Sequence, residues 1–302
     1  MSIGEVVSVP DCDQYYYVDT GMYDVEGYGS VYVVDADRPA VIDTGIGTDV
    51  DRVLSALDAV GIEREELAVI APTHVHLDHA GGAGFLAEEC PNADVYVHEI
   101  GAPHLVDPTR LIEGTKRAVG DQWRFYVEPR PVPQDRITEL TDGDVIDLGN
   151  RALQTVHAPG HAPHQVVFYD PDARAVATAD SCGIYVPERD QVRQTSPPPN
   201  FDLETCLDDV DSIRALDPEH LLFAHFGARK ADDDVLTGYQ KTLSEWVDAV
   251  RIVSEKLDDD EAVVEHFVEN QDVEEVWGET KGRAETAMNV RGVLHYLDRR
   301  SD

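Results

Sequence analysis

Short stretches rich in valine, tyrosine and isoleucine, bounded by turn-forming residues, recur in the first 45 residues. Stretches 14–18, 30–34 and 40–43 therefore read as strands, with a turn over 35–39. The spacing of apolar residues becomes helical over 48–60, where Val50, Val53, Leu54, Leu57 and Val60 form one stripe and Gly61 supplies a stop. The apolar run 67–71 predicts a buried strand, followed by a short helix over 84–89 and a strand over 94–98. Stretches 99–106 and 109–119 are helical in pattern and lead to Trp123, Phe125, Tyr126 and a proline-rich segment at 129–133. Residues 99–135 thus read as an insertion, its aromatics either a wall beside a site or a plug between helices. Strands resume at 144–148, 151–156, 165–169 and 174–179. A helix starting at Asp202 or Thr205 carries Cys206, Leu207, Val210 and Ile213 on one face, before a last core strand at 220–224. From Ala231 onward the pattern is helical, with Val235, Tyr239, Leu243, Val247 and Val250 at helical spacing. The expected organisation is a catalytic domain over 1–230 and a helical segment over 231–302 packed on it. Strands alternating with helices place the chain in the α/β class.

Composition sharpens this picture. A hydrophobic content of 42% over 302 residues allows a sizeable core, and no apolar run approaches the ~18 residues of a membrane span. The first residues lack a basic region followed by an apolar stretch, so a cytoplasmic protein is expected. The net charge of −36 comes from 60 acidic and 24 basic residues, of which nineteen are arginine. Such a balance reads as adaptation to a salt-rich interior, a halophile's, where charge repulsion is screened. The acidic runs at 232–234 and 258–261 then read as solvated surface, since neither has the spacing of a calcium loop. A surface this acidic repels phosphate backbones, so no nucleic acid is expected as a partner; a homo-oligomer stays open. Cys12, Cys90, Cys182 and Cys206 are widely spaced, which argues against a disulfide framework or a structural zinc site. Cys182, two residues beyond Asp180, reads either as a lining residue of a site or as a small buried apolar residue.

Residues 72–79, Pro-Thr-His-Val-His-Leu-Asp-His, are where the chemistry concentrates. His74, His76, Asp78 and His79 fall within six positions, and three imidazoles that close are costly unless a cation organises them as neutral ligands. Alternation would put 74, 76 and 78 on one side of an extended segment, with His79 on the other. Further along stand Pro159-Gly160-His161, Ala177-Thr178-Ala179-Asp180 and Leu222-Phe223-Ala224-His225-Phe226-Gly227. An early Asp43-Thr44-Gly45 turn precedes them all.

In order and kind these five elements resemble the motifs of the metallo-β-lactamase-fold hydrolase superfamily, over roughly residues 15–230. The resemblance implies a four-layer αββα sandwich with its site at one edge, between the two sheets. It implies that His74, His76 and His161 hold one metal, that Asp78, His79 and His225 hold a second, and that Asp180 bridges them. Two divalent ions are expected, zinc first, with iron or manganese as alternatives. The implied reaction is hydrolysis of a small-molecule acyl substrate by a hydroxide shared between the ions, with Asp78 in the catalytic role of holding it and passing on its proton. Asp43 reads either as support behind an imidazole or as plain turn chemistry. The loop 159–164 is one residue shorter than the family's Pro-Gly-His-x-Pro-Gly-His form, which leaves His164 ambiguous. His98, His104, His157, His220 and His295 read as core or surface residues.

Departures narrow the class. The β-lactamases of this fold place a cysteine in the second metal site and use a lysine for the substrate carboxylate, whereas this chain has no lysine between 117 and 229. The set is more similar to glyoxalase II-like thioesterases and to acyl-homoserine lactonases, although Tyr185 lies two positions beyond the usual lactonase tyrosine. An ester, thioester or lactone is the expected substrate. The alternatives on the same scaffold are an iron-dependent oxidoreductase similar to persulfide dioxygenases and, disfavoured by charge, a nuclease.

Overall fold

The computed structural model describes residues 2–257, 259–272 and 274–301. The first sheet contains, in spatial and chain order, β1 (Val6–Ser8), β2 (Tyr15–Asp19), β3 (Ser30–Val34), β4 (Ala40–Ile42), β5 (Val69–Ala71), β6 (Asp94–His98) and β7 (Ile137–Leu140). Pairing is antiparallel from β1 to β4 and parallel from β4 to β7. The later strands are β8 (Val145–Asp147), β9 (Ala152–His157), β10 (Val166–Asp170), β11 (Ala175–Ala179), a hairpin of β12 (Ile184–Val186) and β13 (Gln191–Arg193), β14 (His220–Phe223) and β15 (Gly227–Lys230). The second sheet runs β15-β14-β11-β10-β9-β8. The helices are α1 (Val50–Val60), α2 (Leu77–Ala80), α3 (Ala83–Glu89), α4 (Ala102–Val106), α5 (Thr109–Val119), α6 (Leu203–Ala215), α7 (Asp233–Ser254), α8 (Asp260–Glu269) and α9 (Glu274–Ser301).

Side-chain alternation in the strands divides the interior into three apolar slabs, and hence the chain into four layers. In β3, Tyr32 and Val34 face the second sheet, where they meet Val166 and Phe168 of β10. Val31 and Val33 point the other way, onto Val53, Leu54 and Leu57 of α1 and Leu86 of α3. On the far side, Val167 and Tyr169 of β10 meet Val210 and Ile213 of α6, Tyr239, Leu243 and Val250 of α7 and Val293 of α9. Both central sheets are thus covered on both faces, which makes their strands nearly continuous apolar runs. Helices α7 to α9 form a C-terminal helical segment against the outer face of the second sheet. No helix among the described residues is long and apolar enough to cross a membrane.

The acidic runs serve local structure. Asp232 accepts the Val235 N–H at 2.7 Å and Asp259 accepts the Ala262 N–H at 3.1 Å, so they cap α7 and α8; Asp258 lies outside the described residues. Strands β1, β7, β12, β13 and β15 have no counterpart in the sequence reading. They are short, and β1, β7 and β15 lie at or beside sheet edges where polar side chains interrupt any alternation.

Candidate metal centre

Every sequence-predicted donor sits just beyond the C-terminal end of a strand, along one edge of the sandwich. His74 and His76 lie in the loop after β5, His161 in the turn between β9 and β10, Asp180 directly after β11, and His225 between β14 and β15. The extended alternation expected over 74–79 holds only as far as His76. Leu77–Ala80 is a helical turn, and the ~100° step per residue lets both Asp78 and His79 face the site instead of opposite sides. Three non-glycine residues with left-handed backbone stand beside the donors: Asp43 (φ 59°), Ala179 (φ 47°) and Phe226 (φ 65°). Such conformations cost of order 1–3 kcal/mol each and persist only where surrounding structure over-determines them.

The structure brings all seven predicted residues together. His76 Nδ1 lies 3.0 Å from His74 Nε2 and 3.1 Å from His161 Nε2. One ring nitrogen cannot serve two others at once as a hydrogen-bond partner. The spacing instead approximates the ~3.3 Å between two nitrogens of a tetrahedral ion with bonds of about 2.0–2.1 Å. Asp180 stands at the centre: Oδ2 is 3.2 Å from His161 Nε2 and 3.6 Å from His79 Nε2, and Oδ1 is 3.5 Å from His225 Nε2. Asp78 Oδ2 is 3.7 Å from His79 Nε2. Three overlapping donor groups, His74/His76/His161, His74/His79/Asp180 and Asp78/His79/His225, could hold a metal ion.

Residues behind the imidazoles fix which nitrogen is free. The Tyr28 carbonyl oxygen, which can only accept, lies 2.9 Å from His225 Nδ1, so that nitrogen carries the proton. Asp43 Oδ2 lies 3.0 Å from His79 Nδ1 with the same consequence. Asp43 Oδ1 takes both the N–H and the hydroxyl of Thr73 at 2.8 Å, which leaves the Thr73 oxygen to accept from His74 Nδ1 at 3.2 Å. In each case Nε2 is left as a lone-pair donor aimed into the site, the tautomer a cation needs. Consistently, buried His79 Nε2 and Asp180 Oδ1 have no hydrogen-bond partner. The donor set fits a divalent cation.

Electrostatics agree for three of the imidazoles. Burial holds His74 and His76 below the usual imidazole range and takes His161 down to about 3, so these rings are neutral and competent to ligate. Burial works the same way on His79 but is outweighed by Asp180, Asp43 and Asp78, which raise it. For Asp180, burial favours the neutral acid, yet His161 and His79 hold the carboxyl well below its ordinary range.

Loops around the centre are tied by groups the sequence reading did not single out. Gln165 accepts the Asp180 N–H at 3.3 Å and donates to the Ala158 carbonyl at 3.1 Å, linking the Asp180 and His161 loops. Asp209 of α6, buried, accepts the Gly160 N–H at 2.7 Å. A Cβ at position 160 would stand 2.4 Å from the Cys206 nitrogen, so only glycine lets α6 approach. The shortened loop closes through Gln165 N–H to the Ala162 carbonyl, and it turns His164 inward, where Nδ1 accepts the Val75 N–H at 3.4 Å.

The donors open into a cavity of about 420 Å³ whose walls include Tyr23, Tyr28, Tyr126, Lys281 and Glu285. Lys281 of α9 pairs with Glu285 at 2.9 Å and lies 4.0 and 4.7 Å from the ring centres of Tyr23 and Tyr28. Tyr23 and Tyr126 hydrogen-bond to each other through their hydroxyls. Of the aromatics in the insertion, Tyr126 lines the cavity, and Trp123 stacks on it with centroids 5.4 Å apart. The available signal was the stripe Lys281, Glu285 and Asn289, one polar residue per turn on an otherwise apolar helix face. Cys182 belongs to the apolar slab under α7, as a small buried residue. Tyr185 donates to Asp190 at 3.3 Å and does not line the cavity.

The sequence model of the metallo-beta-lactamase superfamily matches residues 24–225, two-thirds of the chain and all seven donors. The chain belongs to this superfamily. The metallo-beta-lactamase fold-containing protein ST1585 of Sulfurisphaera tokodaii is 26% identical over 221 residues, covering 72% of this chain and 79% of that relative. The crystal structure of ST1585 from Sulfolobus tokodaii superposes with a TM-score of 0.70 at 23% identity, covering 94% of this chain and 99% of that one. The acyl-coenzyme A thioesterase MBLAC2 of Gallus gallus is 30% identical over 182 residues, 55% of this chain and 61% of its own. The chain thus spans less than two thirds of that thioesterase's length. Superfamily members are mostly metal-dependent hydrolases, and the αββα sandwich expected from the sequence is the fold observed.

Proposed function

We infer that the chain is a hydrolase of acyl thioesters or related esters that works with two divalent cations, zinc first. The observation that carries this reading is the pair of donor triads flanking Asp180, with Nε2 of His74, His79 and His225 left free by the groups behind them. In this arrangement His74, His76 and His161 hold one ion, Asp78, His79 and His225 the other, and Asp180 lies between. When bound, such a pair supplies a water acidic enough to act as nucleophile near neutral pH and a Lewis acid for the acyl oxygen.

The chain's own residues do the rest. Asp78 has the most cavity-facing carboxylate of the set, its side chain 26% exposed against 6% for Asp180. Its second oxygen accepts a hydrogen bond from the attacking water and then carries a proton to the leaving thiol. Water adds to the acyl carbon, the carbon–sulfur bond breaks, and a carboxylate and a thiol depart. The likeness to a thioesterase supports the thioester class, and the absence of cysteine among the seven donors separates the set from the cysteine-containing lactamase pattern. The net charge of −36 supports a small-molecule substrate over a nucleic acid.

Elemental analysis of the protein purified at high salt, paired with rates on thioesters, esters and lactones, tests the reading. Two ions per chain and thioester hydrolysis abolished by chelation are expected. One ion per chain after reconstitution, iron in particular, together with an inert thioester panel would replace the hydrolase with an oxidoreductase.

A further inference from the structure

The cavity beside the donors has a second, chemically different end. Its far wall is made by α5 and α9, which present Leu111, Val119, Ala284 and Met288 to the space, with Ile184 and Pro198 completing it. All but Ile184 are partly open to the cavity rather than fully buried, although each belongs to an element that packs on the fold. Helix α9 lies wholly outside residues 24–225. The seven donors therefore come from the shared core, and much of what faces them comes from beyond it.

The charges on this wall are spent. The Lys281 ammonium is taken up by Glu285 at 2.9 Å and by the faces of two tyrosine rings, and Glu285 is also bound by Asn289 Nδ2 at 3.1 Å. The other arginine or lysine lining the cavity among the described residues, Arg110, is exposed on α5. A buried, internally neutral pair offers no counter-charge to an anionic acyl group, while the residues around it offer carbon surface.

We propose that the space between α5 and α9 is an acyl-chain site, which holds an apolar acyl group while its carbonyl carbon rests over the donors. The proposal rests on the thioester reading above and adds to it the class of acyl group. Continuity of the apolar wall with His76, Asp78, His161, Asp180 and His225 in one cavity places the chain's carbonyl end where the chemistry is. About 420 Å³ shared between donors and wall limits the chain to a middling length. Burying each added methylene contributes about a fourfold gain in transition-state binding until the wall is reached.

The test uses the full chain with its metals and a series of coenzyme A thioesters from acetyl to dodecanoyl. It also uses the matching S-alkyl thioethers, which bind but cannot be hydrolysed. The unmodified protein should show kcat/KM rising about fourfold per methylene over the shorter members and then levelling. Ala284→Phe and Leu111→Phe each narrow the space, so the octanoyl-to-acetyl ratio of kcat/KM should fall at least tenfold in both. Tyr185→Phe, away from the cavity, should leave that ratio as it is. A flat chain-length profile, or a ratio unmoved in both narrowing variants, overturns the acyl-chain site even if thioesters are hydrolysed. Should no thioester be hydrolysed, the functional reading fails instead, and calorimetry of the thioethers still decides: affinity independent of alkyl length overturns the site.

Discussion

Asp209 offers the sharpest check on how the His161 loop is held. Its carboxylate is 5% exposed, and the Gly160 N–H at 2.7 Å is its hydrogen-bond partner among the described residues. Burial pushes its pKa from the ordinary 3.8 up to about 7, partly offset by that hydrogen bond. Because the folded value lies above the unfolded one, the folded chain holds a proton that the unfolded chain has released between about pH 4 and pH 7. Stability from this group is therefore fully present below about pH 4 and is lost as pH rises toward 7. At 1.36 kcal/mol per pH unit, the loss amounts to about 4 kcal/mol at most. Asp209→Asn keeps an oxygen to accept the Gly160 N–H and has no charge to desolvate. Urea unfolding of both proteins at pH 5, 6, 7 and 8, in the same buffer and metal, cancels the titrations they share. The variant's advantage should grow by about 1 kcal/mol per unit up to neutrality and then level. A difference that does not change with pH would refute a buried, reluctantly ionised carboxylate at this position.

Asp180→Ala should lose both metal content and hydrolysis, because one carboxylate lies within 3.2–3.6 Å of three donor nitrogens and the charge of two close cations goes uncompensated. His164→Ala should keep both ions at a stability cost of about 1–3 kcal/mol, and equal metal loss in the two variants would show that the 159–164 loop is misassigned. Arg151→Met strands the fully buried Asp170 carboxylate, which otherwise takes Arg151 Nη1 at 2.9 Å and the Tyr15 hydroxyl at 2.8 Å. Chemical denaturation should show a loss of about 3–5 kcal/mol with metal content unchanged. With 60 acidic against 24 basic residues, the melting temperature should climb from 0.01 M salt, where the Debye length is ~30 Å, toward molar salt; a flat response would sink the salt-adapted reading.

The donors were legible because each is a titratable residue fixed to a recognisable strand end. His74, His76, Asp78 and His79 stood out by their spacing, whereas His161, Asp180 and His225 were found through the resemblance of their motifs to those of the superfamily; stretch 30–34 was legible as a strand because it is rich in valine and tyrosine. Asp78 and His79 were read on opposite sides because a one-turn helix leaves no periodic trace in four residues. What escaped acts at long range in sequence. Asp209 meets Gly160 across 49 positions and Lys281 meets Tyr23 across the fold; neither has a local pattern that names its partner. The second sheet's partner strand β15 escaped for a different reason, since Gly227-Ala-Arg-Lys reads as a polar turn until β14 supplies its hydrogen bonds.

The order of these parts along the chain has a consequence for biosynthesis. The last donor is His225, and the helix that faces the donors begins at Glu274, about 50 positions later. At about 5–20 residues per second, translation leaves an interval of about 2–10 s between the two. During that interval a nascent chain can gather its imidazoles and carboxylates at the edge of the sandwich while the site still lies open to the surrounding solution. Hydrated ions, which need room to shed their water shells, then reach the donors before α9 arrives. Loading the metal first and closing the apolar wall afterwards is the sequence of events that this gene order favours. A nascent chain stalled with His225 clear of the ribosome and α9 not yet released should already carry chelatable metal.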